Sequence, residues 1–108
     1  MAYRWLLANV PKESPIVIES RELVMPAPYK SSNVAQLRLQ SIAEYAANRV
    51  DYLVASSQVH GPFTLEPRAY PSEYGDYARI FRETQEVARF PPSREHPGPE
   101  IRVLKLVR

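Results

Sequence analysis

The sequence predicts a small layered α/β domain, a mixed sheet of about five strands with two to three helices and a terminal antiparallel hairpin. Two observations carry this prediction. Short β-branched runs alternate with helix-like segments along the chain, and eleven prolines cluster in the loops between them. A length of 108 residues fits one domain, so we assign residues 1–108 to a single soluble extramembrane domain.

The first third of the chain predicts a helix, a strand and a long loop. Residues 2–10, AYRWLLANV, place apolar side chains at helical spacing, and Pro11 ends the helix. Residues 16–20, IVIES, form a compact β-branched run typical of a buried strand. Residues 21–33 are expected to be mostly loop because their prolines block regular structure. Met1 stands directly against the first helix, so we expect a longer parent protein.

Two further strands are predicted in the middle of the chain. Residues 35–42, AQLRLQSI, alternate leucines with polar residues, a pattern that predicts a half-buried strand. Residues 43–49 then indicate one helical turn. Residues 50–57, VDYLVASS, are apolar on both faces, which favours a central strand of the sheet.

The last third of the chain predicts one strong helix and the hairpin. After a Pro-rich loop over residues 60–71, the segment 71–84 has Pro71 at its start and acidic residues near its positive end. Four aromatic residues and one threonine follow a helical spacing and form one stripe, which predicts a core face with hydroxyls at the rim: Tyr70, Tyr74, Tyr77, Phe81 and Thr84. Residues 86–90 and 100–107 alternate as strands and are expected to pair.

Composition excludes several classes of function. Fourteen Lys and Arg balance twelve Asp and Glu, and the charges are evenly spread, so no basic face suggests a nucleic-acid partner. The absence of cysteine rules out disulfides, a thiolate nucleophile and Cys-ligated zinc. Only three isolated glycines are present, so a phosphate cradle is not expected, and we predict no cofactor.

The most active-site-like stretch follows the predicted central strand. Ser56, Ser57 and His60 stand where ligands bind in open α/β sheets. A Ser-His nucleophile also needs a third group and an oxyanion hole, and neither is written nearby. We therefore favour a strand end over a catalytic loop, and predict these three residues with the loop residues Tyr29 and Tyr70 as ligand or partner contacts.

Other combinations of chemically active residues are weaker. His96 lies in a Pro-Gly loop, and the chain has no further histidine within metal-ligand spacing of it, so no metal site is predicted. Glu19, Glu22 and Asp51 are the candidates for a carboxylate pair of the glycosidase type. Nothing in the sequence places any two of them together, and Glu19 at the end of a strand is expected to cap or to form a salt bridge.

The chain resembles the carboxy-terminal soluble domain of large bacterial membrane glycosyltransferases, similar to dolichyl-phosphate-mannose protein mannosyltransferases and lipid A aminoarabinose transferases. The resemblance rests on short pieces spread over nearly the whole chain, above all VDYLVASSQVHGPF and HPGPEIRVLKLV. The residues that match are Trp5, Asn9, Pro11, Glu19, Tyr29, Asp51, Tyr52, Ser56, Ser57, Tyr77, Phe81, Phe90, Pro91, Gly98, Pro99 and Ile101. One departure is Val59-His60, where an aromatic residue usually follows the two serines.

The resemblance implies a parent enzyme that transfers a sugar from a polyprenyl-phosphate donor. Its catalytic residues would belong to an early extracytoplasmic loop between membrane helices, and no position in these 108 residues matches them. The chain is then expected to be an accessory domain on the extracytoplasmic face, without catalysis of its own. Its expected partners are the membrane portion of the parent, an acceptor, or the polyprenyl-phosphate sugar.

Two alternatives come from the residues themselves. The first is a freestanding α/β module that binds a small molecule or carbohydrate beside His60 and the nearby tyrosines. The second is a small hydrolase that uses Ser56 or Ser57 with His60.

Overall fold

The structure, a computed structural model, describes residues 2–20, 22–95 and 97–107. Its elements in chain order are α1 (Ala2–Asn9), β1 (Ile16–Ile18), β2 (Ser31–Asn33), a 3-10 helix (Leu37–Leu39), α2 (Ile42–Ala47), β3 (Tyr52–Ser56), α3 (Ser57–Leu65), α4 (Pro71–Glu83), β4 (Thr84–Phe90) and β5 (Ile101–Leu106). The predicted α/β class is confirmed, with four α-helices around a mixed five-stranded sheet within these ranges. None of the described helices has the length and apolarity that crossing a bilayer requires.

The sheet has the strand order β2-β1-β3-β5-β4. β1 pairs in parallel with both β2 and β3, whereas β5 pairs antiparallel with β3 and with β4. The central strand predicted over residues 50–57 is confirmed as β3, which covers Tyr52–Ser56, and the terminal hairpin is confirmed as β4 and β5. Leu53 and Val54 are both fully buried, as expected for a strand that is covered on both faces.

Helices and loops cover the two faces of the sheet unequally. The α1 face is covered by α1 and the segment 22–29, and it buries Leu6, Val10, Ile16, Ile18, Met25, Val54 and Val103. The α4 face is covered by the 3-10 helix, α2, α3 and α4, and it buries Val17, Leu37, Tyr45, Val50, Leu53, Ala55, Tyr77, Ile80, Leu104 and Leu106. The molecule is thus a three-layer domain, with the alternation of each strand dividing its side chains between two cores.

α4 confirms the predicted helix and most of its stripe. Pro71 occupies the first turn, where its missing N–H costs no hydrogen bond, and Arg82 lies in the last turn near the negative end of the helix. Tyr77 is fully buried in the core, whereas Tyr70 and Tyr74 remain 37% and 42% exposed. The aromatic stripe therefore enters the core only at its carboxyl half, and its first two tyrosines form the rim.

The predicted strand over residues 35–42 is wrong. Leu37–Leu39 form a 3-10 turn in which Leu37 is buried and Leu39 is 63% exposed. The backbone of Leu37 is bonded by side chains instead of a strand: its N–H donates to Glu19 at 2.8 Å, and its carbonyl accepts from the Tyr45 hydroxyl at 2.7 Å. The strand that pairs with β1 is the polar segment Ser31–Asn33, inside the predicted loop.

The predicted Pro-rich loop begins later than expected, because residues 57–65 form α3. The Ser56 hydroxyl caps this helix by accepting from the N–H of Gln58 at 3.3 Å. Pro62 stands inside the helix, where proline normally breaks regular structure. The helix is therefore stabilised by its tertiary contacts, which the local sequence does not display.

Candidate functional site

The carboxyl ends of the parallel strands β1 and β3 meet at one edge of the sheet. The chain leaves β1 towards β2 on one side and returns to β3 on the other, so this edge is a topological switch point, the usual ligand position in open α/β sheets. A cavity of about 380 Å³ lies there, which we call the carboxyl-edge crevice. It is lined by Glu19, Ser20, Glu22, Val34, Ala35, Gln58 and Val59.

Glu19 is the buried charge-bearing group at this edge. Its side chain is fully buried, and its carboxylate accepts hydrogen bonds from the N–H of Leu37 at 2.8 Å and the N–H of Ser56 at 3.1 Å. The Tyr77 hydroxyl donates a third hydrogen bond to the same carboxylate. One side chain therefore connects β1 to the 3-10 helix, the end of β3 and α4, and we call Glu19, Ser56 and Tyr77 the Glu19 cluster.

Burial controls the protonation of the Glu19 cluster. Desolvation raises the pKa of Glu19 to about 6, against the opposing effect of the three donated hydrogen bonds. Burial and the neighbouring carboxylate also raise the pKa of Tyr77 above its ordinary value. Glu19 can thus change charge within the range of mildly acidic conditions, while Tyr77 stays a neutral hydrogen-bond donor.

The three candidate carboxylates do not form one site. Glu19 and Glu22 line the same crevice, whereas Asp51 precedes β3 and lies at the opposite edge of the sheet. The expectation that Glu19 caps or salt-bridges is partly met: its carboxylate accepts from the Leu37 N–H at the start of the 3-10 helix, and among the described residues it forms no ion pair. With its carboxylate facing three internal donors, Glu19 holds the fold together and is poorly placed to act on a ligand.

Ser56 and Ser57 mark the end of a strand, as the sequence favours. Ser56 is 1% exposed and caps α3. Ser57 bonds Glu100 twice, with its N–H donating to the Glu100 carbonyl at 2.9 Å and its hydroxyl accepting from the Glu100 N–H at 2.8 Å. Both serines therefore fix the junction between β3, α3 and β5.

His60 is buried against the rings of α4. It is 3% exposed, and its ring centroid lies 5.4 Å from the rings of both Tyr77 and Phe81. Among the described residues, neither ring nitrogen has a hydrogen-bond partner, so no Ser-His dyad is assembled for the hydrolase alternative. Burial, reinforced by the charge of Arg102, lowers the pKa of His60 to about 4 and keeps the imidazole neutral near pH 7.

Tyr29 and Tyr70 lie on different faces of the sheet. Tyr29 packs against the α1 face and its hydroxyl donates to the Leu7 carbonyl at 3.1 Å. Tyr70 makes an edge contact with Phe63, with ring centroids 5.1 Å apart. The five predicted contact residues are therefore not brought into one pocket, and their role as ligand contacts stays a prediction.

The residues that line the crevice were not predicted from the sequence. Gln58 and Val59, at the start of α3, line the crevice beside Glu19. The available signal was a strand that ends in a glutamate and a second strand that ends in serine, since parallel strands place their carboxyl ends at one edge. Tyr77 gave no separate signal, because a tyrosine within an aromatic stripe reads as core.

A second cavity lies on the α1 side of the domain. It has a volume of about 590 Å³ and lies between α1 and the hairpin loop, lined by Ala2, Arg89, Phe90, Pro91, Ser93, Glu95, Pro97, Pro99 and Ile101. Within the described ranges, no group of three or more His, Cys, Asp or Glu side chains is arranged to hold a metal ion. His96, named in the metal prediction, lies outside those ranges.

No protein-family model matches this chain, and no curated protein or solved structure matches it significantly. The fold and the site define the chain as a small three-layer α/β domain with a crevice at its topological switch point.

Proposed function

We propose that this chain is the accessory extracytoplasmic domain of a membrane glycosyltransferase that uses a polyprenyl-phosphate sugar donor, and that it is not catalytic alone. The supporting observation is the Glu19 cluster. Glu19, Ser56 and Tyr77 belong to three separate pieces of the sequence resemblance, and they are joined by hydrogen bonds in the fold. If the short sequence matches had arisen by chance, the matching residues would not be expected to form hydrogen bonds with one another.

A second contact supports the same proposal. Trp5 and Phe90, which also carry the resemblance, meet edge to face with ring centroids 6.4 Å apart and join α1 to the end of β4. The matching residues thus include contacts that define the fold at two distant places. Such contacts are expected if the matching residues are characteristic of a family because they maintain its fold.

The chemistry of the described residues favours an accessory role. The Glu19 carboxylate faces internal donors, Ser57 is tied to Glu100, and His60 has no partner for proton transfer among the described residues. In the parent that the resemblance implies, sugar transfer occurs in a loop between membrane helices. The present domain would support folding or dock the acceptor beside that loop.

Two measurements test this proposal. The purified 108-residue chain is expected to transfer no sugar from a polyprenyl-phosphate donor, and detectable turnover would overturn the accessory role. The coding sequence upstream of Met1 is expected to encode many apolar segments. A native start codon at Met1, preceded by an unrelated reading frame, would contradict the assignment to a membrane parent.

The alternative is a freestanding module that binds a small molecule or carbohydrate. The carboxyl-edge crevice favours it, because its position and volume suit a small ligand. A thermal-shift screen with sugars and polyprenyl phosphates separates the two functions, since a ligand that binds only the folded state raises the melting temperature. A shift lost in Glu22→Gln, in the crevice lining, and retained in Glu13→Gln, on an exposed turn, would favour the module.

A further inference from the structure

One titratable side chain lies at the centre of the contact between α3 and α4. Within Ser57–Leu65, His60 is the only described residue that is fully buried. Phe63 adds a half-buried contact, stacking on Tyr77 with ring centroids 6.1 Å apart. The first residue of the helix is tied to β5 through the two hydrogen bonds between Ser57 and Glu100. Beyond that residue, the fully buried anchor of the helix is an imidazole, a group that changes charge near neutrality when it is free in water.

The helix has little stability of its own. It is nine residues long, and Gly61 and Pro62 occupy its centre, where glycine is a poor helix former and proline removes a backbone hydrogen bond. The Thr64 hydroxyl lies 3.2 Å from the carbonyl oxygens of both His60 and Gly61, and its single proton is shared between these two acceptors of the preceding turn. Without burial of the imidazole, the centre and the end of this helix keep only the half-buried contacts of Phe63 with Tyr70 and Tyr77.

The surroundings of His60 suit a neutral ring only. α4 contributes the rings of Tyr77 and Phe81, and β5 contributes Arg102, whose guanidinium lies 4.5 Å from the Phe81 ring centroid. Glu100 is the acidic group nearby, and its carboxylate already accepts from Arg102 at 3.0 Å. A second cation at His60 would be buried beside the first, with no acceptor among the described residues for either ring N–H.

α3 also forms part of the carboxyl-edge crevice. Gln58 and Val59 line the cavity, and the helix begins directly after Ser56, whose N–H donates to Glu19. We propose that α3 is an acid-released wall of this crevice: protonation of His60 undocks α3 from α4 while the five-stranded sheet stays folded. The proposal rests on the fold and does not depend on the glycosyltransferase assignment.

The direction of the pH dependence follows from linkage. Because burial lowers the pKa of His60 from 6.5 to about 4, the docked helix binds fewer protons than the released one between these values. The equilibrium constant for docking has its full value above about pH 6.5. It falls by about tenfold for each pH unit as the pH decreases towards 4. The pKa of Glu19 is raised to about 6, and its carboxylate is bonded to Tyr77, on which His60 packs. The effect of Glu19 on the pH dependence of docking therefore has to be measured separately from that of His60.

Site-resolved amide hydrogen exchange on the full chain tests the proposal. Exchange is followed between about pH 7 and pH 5 and corrected for the intrinsic rate of each amide. Apart from Pro62, which has no amide proton, residues 58–65 are expected to lose about tenfold in amide protection per pH unit below about 6.5, while β3 and β5 keep theirs. His60→Phe, which retains an aromatic ring without a charge, is expected to abolish the loss.

Two variants serve as controls in the same measurement. His96→Gln removes the other histidine of the chain, and Glu19→Gln removes the titration of the buried carboxylate. Both are expected to retain the pH-dependent loss in α3. If His60→Phe does not fold, the imidazole resonances of His60 in the wild-type chain provide the readout, because docking must hold its titration well below pH 6.5.

Three results would overturn the proposal. The first is constant protection of α3 across the pH range. The second is loss of protection in β3 and β5 in step with α3, which would indicate global unfolding. The third is a His60 imidazole that titrates near pH 6.5 while α3 remains protected.

Discussion

The two faces of the sheet are built on different principles. On the α1 face, the fully buried cluster is apolar and sits beneath one helix and a loop. On the α4 face, buried polar groups lie among the apolar ones: Glu19 bonds Tyr77, His60 packs on Tyr77, and the Thr84 hydroxyl donates to the Ile80 carbonyl at 2.7 Å. The same five strands therefore support a wholly apolar core on the α1 face and a core that contains titratable side chains on the α4 face.

Because of this difference, the pH dependence of the free energy of unfolding is expected to come from the α4 face. An apolar core is stabilised by burial alone, which has no proton linkage. The α4 face carries two groups shifted in opposite directions, with the pKa of Glu19 raised and that of His60 lowered. Substitutions on opposite faces can then separate the part of the stability that does not depend on pH from the part that does.

Glu19→Ala is expected to have the largest effect. It leaves the N–H groups of Leu37 and Ser56 and the Tyr77 hydroxyl without their acceptor, at a cost of about 3–5 kcal/mol in the free energy of unfolding. Urea denaturation measures this change, with Glu22→Ala as the exposed control expected within about 0.5 kcal/mol. Equal effects for the two variants would show that the Glu19 cluster does not stabilise the α4 face.

Leu6→Ala is the matching substitution on the α1 face. Leu6 is fully buried, and its truncation is expected to cost about 3 kcal/mol by lost burial and a residual cavity. The cost should be the same at about pH 5 and pH 7, since the apolar cluster has no proton linkage. Leu7→Ala, at the neighbouring position that is 38% exposed, should cost under about 1 kcal/mol. A pH-dependent cost for Leu6→Ala would contradict the division between the faces.

Glu19→Gln sharpens the comparison through its pH profile. The raised pKa of Glu19 means that the folded chain favours the protonated carboxyl, so this contribution is present below about 4.5 and is lost as the pH rises through 6. Wild type is expected to lose at most about 2 kcal/mol relative to the variant between about pH 4 and pH 7. Paired urea titrations, made in a His60→Phe background to remove the opposing histidine, measure it. A flat difference would place the pKa of Glu19 at its ordinary value.

Ser41→Ala is expected to have the smallest effect. Ser41 and Glu44 form a reciprocal capping box at the start of α2, with bonds of 3.1 and 3.2 Å. Its loss should cost about 1 kcal/mol without pH dependence in the neutral range. Thermal unfolding checks the change against Ser72→Ala, an exposed position in the first turn of α4 expected within about 0.5 kcal/mol. A cost matching that of Leu6→Ala would indicate that α2 is a core element in its own right.

Most of the fold was predictable because its elements carry strong periodic patterns. β1, β3, the hairpin and α4 follow from β-branched runs, alternation and the Pro71 start. The error at Leu37–Leu39 has a clear cause: two leucines two residues apart fit a strand, but Glu19 and Tyr45 occupy the backbone groups that a strand would pair. The error at α3 arose because Gly61 and Pro62 argue locally against a helix that tertiary contacts hold in place.

Only part of the candidate site could be predicted from the sequence. Ser56 and Ser57 at a strand end were identified with their structural role, and His60 was identified without its environment. The meeting of Glu19, Ser56 and Tyr77 spans up to 58 positions along the chain, and no local pattern encodes such a contact.

The amino-acid sequence by itself determined the class of the domain, its central strand, its terminal hairpin and the core half of α4, since hydrophobic periodicity is a local property of the chain. Only the tertiary structure decided which polar groups are buried together. Burial raises the pKa of Glu19 and lowers that of His60, because removal from water penalises whichever form is charged. That penalty depends on the neighbours that the fold supplies, and so the titratable face of this protein exists only once the chain is folded.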